Sequence, residues 1–284
     1  MEKKYVLITG ASSGFGLLTT IELAKRGFSV IATMRNEEKK EKVIELCKQF
    51  QVEKQITCLQ LDVTCKKSLQ HLSEHLNQFP KIDILINNAG FAFGGFCEEV
   101  SLQEYKEQFE TNFFGVIAVT QAVLPFMRKQ KQGKIINLSS ISGKIGFPGL
   151  SPYVASKHAL EGWSECLRLE VKPFGIDVAL IEPGSFATNI WSSGKRIAKK
   201  ANNTNSPYDL YMKAIEDQLE KGKEEMGDPK EVASLIANIC EQDRLKALRY
   251  PIGKGVKLAF YLKKWFPWTK WEQLFYKKLL HKKV

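Results

Sequence analysis

Three residues within 135–170, Ser140, Tyr153 and Lys157, have the types and spacing needed to move a proton. A tyrosine hydroxyl ordinarily ionises near a pKa of about 10. To exchange a proton with a substrate oxygen at neutral pH it must fall by roughly 3 units, about 4 kcal/mol of differential stabilisation. A fixed ammonium supplies an effect of that sign. Tyr153 and Lys157 stand four residues apart at the start of a helical pattern, so they share one helix face. Ser140 follows the apolar run 135–138 and places a hydroxyl at a strand end, where it could donate a hydrogen bond to the same substrate oxygen. Taken alone, the Tyr/Lys pair also fits two solvated surface side chains, so the elements around it must decide.

Those elements alternate. An apolar strand over 4–9 runs into Gly10, Ala11, Ser12, Ser13, Gly14, Phe15 and Gly16, then into an apolar-periodic helix. Strand, glycine loop and helix is the context of a dinucleotide site, in which glycines let backbone amides approach a pyrophosphate at the helix N-terminus. A loop that merely packs a helix on a sheet is the alternative. A second strand, 28–33, ends at Met34, Arg35 and Asn36 without the acid that binds a ribose diol, and Arg35 suits a 2′-phosphate. NADP(H) is therefore expected over NAD(H), which stays possible if Arg35 is only a solvated charge. The oxidised nicotinamide would add a second positive charge near Tyr153.

A third strand (55–61) ends at Asp62, which reads either as an adenine contact or as a cap for helix 67–78, a role Thr64 could share. A fourth (82–86) opens into Asn87, Asn88, Ala89 and Gly90, which suit close cofactor approach or ties between strands. Ser101 reads as a helix cap. A long helix over 111–129 carries Asn112 in its first turn, either a satisfied core amide or part of a proton relay. A sixth strand (177–181) ends at Glu182, Pro183 and Gly184, Asp228-Pro229 opens a further helix, and 249–255 reads as a late turn.

With 284 residues this pattern predicts one α/β domain. The six cysteines form no CxxC and no Cys/His spacing, so reduced thiols and no metal site are expected. The amino end reads as a strand rather than a signal peptide, and no uninterrupted apolar run approaches the roughly 20 residues of a membrane span, so a cytoplasmic protein is expected. Charge is uneven. Residues 244–284 hold twelve Lys or Arg against the single acid Glu272, the whole formal excess of +11.

Together the motifs resemble the short-chain dehydrogenase/reductase family. TGASSGFG at 9–16, NNAG at 87–90, Asn112, Ser140, Tyr153 with Lys157, and Pro183-Gly184 with Thr188 occur in the family's order, and the likeness is nearest the branch of retinol and 17β-hydroxysteroid dehydrogenases and their uncharacterised bacterial relatives. The resemblance implies a Rossmann-type, doubly wound parallel sheet of about seven strands. It implies Tyr153 as general acid/base, Lys157 lowering its pKa and holding the nicotinamide ribose, Ser140 polarising the substrate oxygen, and Asn112 ordering a proton relay. The phosphates would meet Gly10, Ser12, Ser13, Gly14, Phe15 and Gly16, the 2′-phosphate Arg35, and the adenine Asp62 and Val63. The adjoining ribose would meet Asn88, Ala89 and Gly90, and the carboxamide Pro183, Gly184 and Thr188. Phe15 stands where aliphatic residues are usual, but only its backbone is asked to bind.

The expected domain spans 1–250, with a polar, mobile lid over 189–227. Aromatic and aliphatic residues near the mouth (Phe91, Phe93, Phe96, Ile145, Phe147, Leu150, Phe186, Ile190, Trp191) point to a lipophilic alcohol or carbonyl substrate, with Phe147, Phe186 and Trp191 as its contacts beside Ser140 and Tyr153. Residues 251–284 read as two short basic, aromatic helices broken at Pro267, suited to an anionic membrane surface or to packing on protein. A homo-oligomer is expected, and nucleic acid is not, since no reader motif accompanies the lysines. Two other functions remain open: reduction of carrier-bound 3-oxoacyl groups, and a non-catalytic dinucleotide sensor or scaffold, which an intact Ser/Tyr/Lys set disfavours.

Overall fold

A computed structural model describes residues 3–188, 190, 194–202 and 206–280. Parallel strands buried on both faces read as apolar runs. Such runs form β1 (Tyr5–Ile8), β2 (Ser29–Met34), β3 (Ile56–Gln60), β4 (Ile84–Asn87), a short β5 (Ala92–Gly94), β6 (Gly133–Leu138) and β7 (Ile176–Pro183). After β8 (Lys195–Ile197) comes β9 (Arg249–Ile252). Seven of these make one parallel sheet in the order β3-β2-β1-β4-β6-β7-β9. The segment expected as a late turn is thus the edge strand β9, in register with β7 through Ile181 opposite Tyr250 and Pro183 opposite Ile252. Its short, Pro-containing sequence gave little alternation to read, and pairing with β7 supplies what local propensity does not.

Helices cover both faces. Val6 and Ile8 of β1 pack with the layer that holds α1 (Gly14–Lys25) and α8 (Pro229–Glu241), whereas Leu7 faces the layer built on α3 (Lys66–Leu76), α5 (Gly115–Lys129) and α6 (Ser151–Val171). That alternation is the period of two of an extended strand. The second strand is followed by α2 (Lys39–Gln49). Ser101 caps α4 (Leu102–Phe109) in a full capping box with Glu104, and the Asp228 carboxylate accepts from the Lys230 amide at 2.9 Å ahead of Pro229 in α8. Neither Asp62 nor Thr64 caps α3. Asp62 Oδ1 instead accepts from the amide and hydroxyl of Thr64 at 2.9 and 2.7 Å.

The helix expected to begin at Thr111 begins a full element earlier. α4 continues through a wider π turn (Glu110–Phe114) into α5, so Asn112 lies inside a long helix rather than in its first turn. Over Leu102–Lys129 that helix is long and apolar enough to cross a membrane by length and composition. Here Val119, Val123 and Met127 are fully buried against the sheet, which makes it a core helix.

Part of the expected lid is regular structure. β8 pairs with β5 in a separate two-stranded sheet, and α7 (Asp209–Lys221) follows, whereas 189, 191–193 and 203–205, including Trp191, lie outside the described residues. The basic extension forms α9 (Val256–Trp265) and α10 (Trp268–Leu280), divided at Pro267 as expected.

Candidate active site

The strand order reverses between β1 and β4, so the chains leaving their carboxyl ends diverge and open a cleft of about 370 Å³. One end is formed by Arg35, Asp62 and Val63, the middle by Gly10, Ser12, Ser13, Gly14 and Phe15, and the far end by Ser140, Tyr153, Lys157, Pro183, Gly184 and Thr188. Asn88, Ala89, Gly90, Asn112 and Phe186 also line it. Of the described sequence-predicted residues, Gly16, Phe147 and the mouth candidates Phe93, Phe96, Ile145 and Leu150 do not. Gly16 packs beneath the loop, where a Cβ would fall on the Gly10 carbonyl and the Asn88 amide nitrogen.

The glycine loop is held by the strand beside it. Thr9 Oγ1 accepts from the backbone amides of Asn88 and Ala89, both at 3.0 Å. The Asn88 side chain returns two bonds, to Thr9 O at 2.8 Å and Gly10 O at 3.0 Å. Gly10 has φ +68, and a Cβ there would lie 2.8 Å from Ala89 Cα, so glycine answers both strain and space. Ser13 precedes α1 without capping it by its side chain, which leaves first-turn amides facing the cleft as an anion cradle. The donor set, the missing Cβ at Gly10 and the length of the cleft fit a dinucleotide.

Asn87 and Asn88 were expected either to meet a cofactor or to tie strands. Both tie strands, because the Asn87 amide also bridges Asn137 Oδ1 at 2.9 Å and Thr120 Oγ1 at 3.1 Å. Asn112, only 1% exposed, exchanges bonds with the Phe91 backbone at 3.0 and 3.2 Å and reaches Ser156 Oγ at 3.4 Å. The π turn aims it there, a usual place for such a turn to be functional.

At the far end, α6 delivers Tyr153 and Lys157 on one buried face. The Tyr153 hydroxyl is hydrogen-bonded to Ser140, whose Oγ also accepts from the Ser142 amide at 3.1 Å. Lys157 Nζ lies 5.7 Å from the centre of the Tyr153 ring and donates to Leu138 O at 2.6 Å. Burial acts against charge on both. It pushes the Tyr153 phenol up to about 12, opposed by the Ser140 bond, and pulls Lys157 down to about 8, opposed by Glu161. The expected depression of the tyrosine is therefore not supplied by protein groups alone: desolvation outweighs the Ser140 bond, and the Lys157 ammonium is committed to a carbonyl.

Sequence reasoning missed several residues. Lys39 joins Arg35 at the outer end, four positions on, and Thr111 and Ser139 line the wall. Arg196 of β8 stacks over Phe91, with its guanidinium 4.3 Å from the ring centre, at the opposite mouth. The spacing of Lys39 from Arg35 was a readable signal, whereas Arg196 arrives only through the pairing of β5 with β8.

A short chain dehydrogenase family profile matches residues 4–198. The chain is 51% identical to the uncharacterized oxidoreductase YusZ of Bacillus subtilis (strain 168), over 98% of this chain and 99% of that protein. It is 35% identical to the 3-ketodihydrosphingosine reductase of Bacteroides thetaiotaomicron, with 94% of each covered. Among solved structures it resembles ElxO with NADP bound, at TM-score 0.74 and 26% identity, covering 90% of this chain and 100% of that one. The chain belongs to the short-chain dehydrogenase/reductase family of oxidoreductases.

Thr9 offers a test of the loop. Thr9→Ala strands two backbone amides and is expected to cost about 2 kcal/mol or more of stability by chemical denaturation, with Thr9→Ser restoring most of it.

Proposed function

We propose that the protein is an NADP(H)-dependent oxidoreductase that interconverts a hydroxyl and a carbonyl on a lipophilic small molecule. The observation that carries this reading is the hydrogen-bonded Ser140–Tyr153 pair, buried beside Lys157 at the end of a cleft that begins at a glycine loop. A bound NADP(H) would supply the hydride acceptor or donor, and Tyr153 takes the hydroxyl proton of the substrate in oxidation and returns it in reduction. Ser140 holds the substrate oxygen against the phenol. Asn112 supports the wall through the Phe91 backbone, and its place beside Ser156 suits a water-borne relay of the proton outward.

Magnitudes show what Tyr153 needs. Bringing a phenol from about 12 to neutrality takes roughly 5 units, about 7 kcal/mol. One cation at the 5.7 Å that separates Lys157 Nζ from the ring centre returns about 3 kcal/mol at the effective dielectric of such sites. Lys157 alone is insufficient, and an oxidised nicotinamide held by this cleft would supply the second positive charge. Arg35 and Lys39 together suit the 2′-phosphate of NADP, and the likeness to ElxO with NADP bound supports that choice. Asp62 and Val63 would frame the adenine, Ala89 and Gly90 its neighbouring ribose, and Pro183, Gly184 and Thr188 the carboxamide.

Phe91, Phe186 and Ile190 give the substrate end an apolar wall, and the relative named for a long-chain ketone agrees with it. The carboxyl-terminal helices fit a lipid-dissolved substrate. Leu258, Tyr261 and Trp265, 60 to 64% exposed, form one stripe of α9 that continues into exposed Phe266 and Trp268. Residues 256–284 carry eight lysines against Glu272, so a second copy of this face would be repelled while an anionic bilayer surface complements it. Val256, the first residue of α9, packs on Gly184 at the cleft, so that helix begins beside the site.

A screen of lipophilic ketones and alcohols against both cofactors, followed by absorbance, tests the reaction. Tyr153→Phe is expected to lower kcat by roughly a thousandfold, and an unchanged rate removes Tyr153 from its role. Arg35→Ala is expected to raise KM for NADPH by roughly tenfold or more and to leave that for NADH nearly unchanged. Co-sedimentation with phosphatidylglycerol vesicles is expected at low salt and to weaken at high salt or in the Trp265→Ser/Trp268→Ser variant. Absence of binding at low salt overturns the lipid contact.

A further inference from the structure

Behind Ser140 and Lys157, on the side away from the cleft, lies a cluster of charges that the reaction as described does not use. Glu161 stands one turn beyond Lys157 on α6 and is 3% exposed. Its Oε1 accepts from Ser139 Oγ at 2.5 Å, and its Oε2 accepts from Arg249 Nε at 2.9 Å, with Lys144 Nζ 3.7 Å away. The turn after Ser140 closes onto this carboxylate, for a Cβ on Gly143 would meet Glu161 Cγ at 2.9 Å. Glu161 therefore touches the residue before Ser140, the turn after it, and the field at Lys157.

Glu182 of β7 completes the cluster. It is 1% exposed and immediately precedes Pro183-Gly184, which line the cleft. The Arg249 guanidinium is already committed. Its Nε hydrogen goes to Glu161, its NH2 to Glu165 Oε1 at 2.5 Å, and Glu182 Oε1 is left 3.6 Å from Nε. Both Glu182 oxygens are buried without a conventional hydrogen bond to a donor. Two ionised carboxylates side by side and sharing one guanidinium, one of them with no donor of its own, is an unfavourable arrangement in a dry interior, and a hydrogen bond between Glu182 and Glu161 needs a proton on one of them. A proton on Glu182 removes the conflict.

We propose that Glu161 and Glu182 are positioning residues for the Ser140–Tyr153–Lys157 set: Glu161, clamped by Arg249, fixes the Ser139–Ser140 strand end and keeps Lys157 charged, while protonated Glu182 holds the pair at a single negative charge. The groups facing Glu182 are Glu161 from α6, Arg249 from β9 and Lys144 from the short turn (Ile141–Gly143) and its end. Burial and then Glu161 push Glu182 up to about 7, while Arg249 and Lys144 oppose that shift. Glu161 is also the one group that raises Lys157 against its burial. When Glu182 loses its proton, a second negative charge appears behind Lys157, and the field at the active site changes near neutral pH.

The sign for stability follows from the raised value. The native state keeps a proton that the unfolded carboxyl has released, so this contribution is complete below the unfolded pKa and is lost as pH rises through about 7. Glu182→Gln, an uncharged mimic of the protonated form, is expected to lose stability relative to the parent less at alkaline pH than at acid pH.

The proposal rests on the oxidoreductase reading only for its kinetic arm. With NADPH and a water-soluble ketone, the kcat profile of the parent is expected to show an ionisation near neutrality that Glu182→Gln lacks. Glu161→Gln is expected to lower kcat by roughly tenfold at every pH with KM little changed. Infrared difference spectra of the unmodified protein are expected to show a protonated carboxyl band that fades near neutral pH and is missing in Glu182→Gln. No such band, or a Glu182→Gln kcat profile superimposable on the parent, overturns the proposal. If the parent reduces no carbonyl compound, the oxidoreductase reading fails, and the infrared and stability arms still decide the proton on Glu182.

Discussion

The structure depends on taking a phenol and an ammonium out of water together. Tyr153 and Lys157 are 4% and 7% exposed, and burial alone drives each toward its neutral form. A neutral lysine would be no electrostatic aid to the tyrosine, so the protein must stabilise that charge by fixed partners. Leu138 O takes one ammonium hydrogen at 2.6 Å, and Glu161 contributes the opposing field one helical turn away. The strand end of β6, the helix α6 and the edge strand β9 are all required for this, since Leu138, Glu161 and Arg249 come one from each.

The parallel sheet makes that convergence possible. Its central strands are buried on both faces, so their carboxyl ends are where backbone and side chains of neighbouring strands can meet at a cleft. Thr9 and Asn88 show how tightly these ends are joined. Four bonds, donated by Asn88 and Ala89 to Thr9 and Gly10, fix the glycine loop to the neighbouring strand end without any contribution from the side chains of residues 10–16. Loop shape is thus set by strand register, and the amides of α1 are aimed before any anion arrives.

Much of this was legible in the residues. Tyr153 and Lys157 could be placed on one face from a spacing of four, and the glycine loop from its strand and helix flanks, because both signals are local. What escaped was decided over long sequence distances. The edge strand β9 looked like a turn because its pairing partner β7 lies some seventy residues earlier. Asn112 was assigned to a first turn because nothing local announces a π turn inside a helix that starts at Leu102. Arg196 entered the cleft only through β8, in a stretch whose composition read as a polar lid. The pKa of Tyr153 went the other way from expectation for the same reason: opposite charge at helical spacing is visible in sequence, whereas the depth of burial that opposes it is not.

Glu161 sharpens the point. Its position four residues after Lys157 was as readable as that of Lys157 after Tyr153, yet a glutamate at that spacing ordinarily belongs to a solvated i,i+4 pair worth a few tenths of a kcal/mol. Only the approach of Arg249, Ser139 and Gly143 turns it into a buried anion whose removal would be felt at the active site. The edge strand thereby has a reason beyond completing the sheet. By carrying Arg249 to α6 it supplies the cation that lets a carboxylate survive beside Lys157, and the electrostatics of the Ser140–Tyr153–Lys157 end of the site come to depend on a strand laid down some ninety residues later.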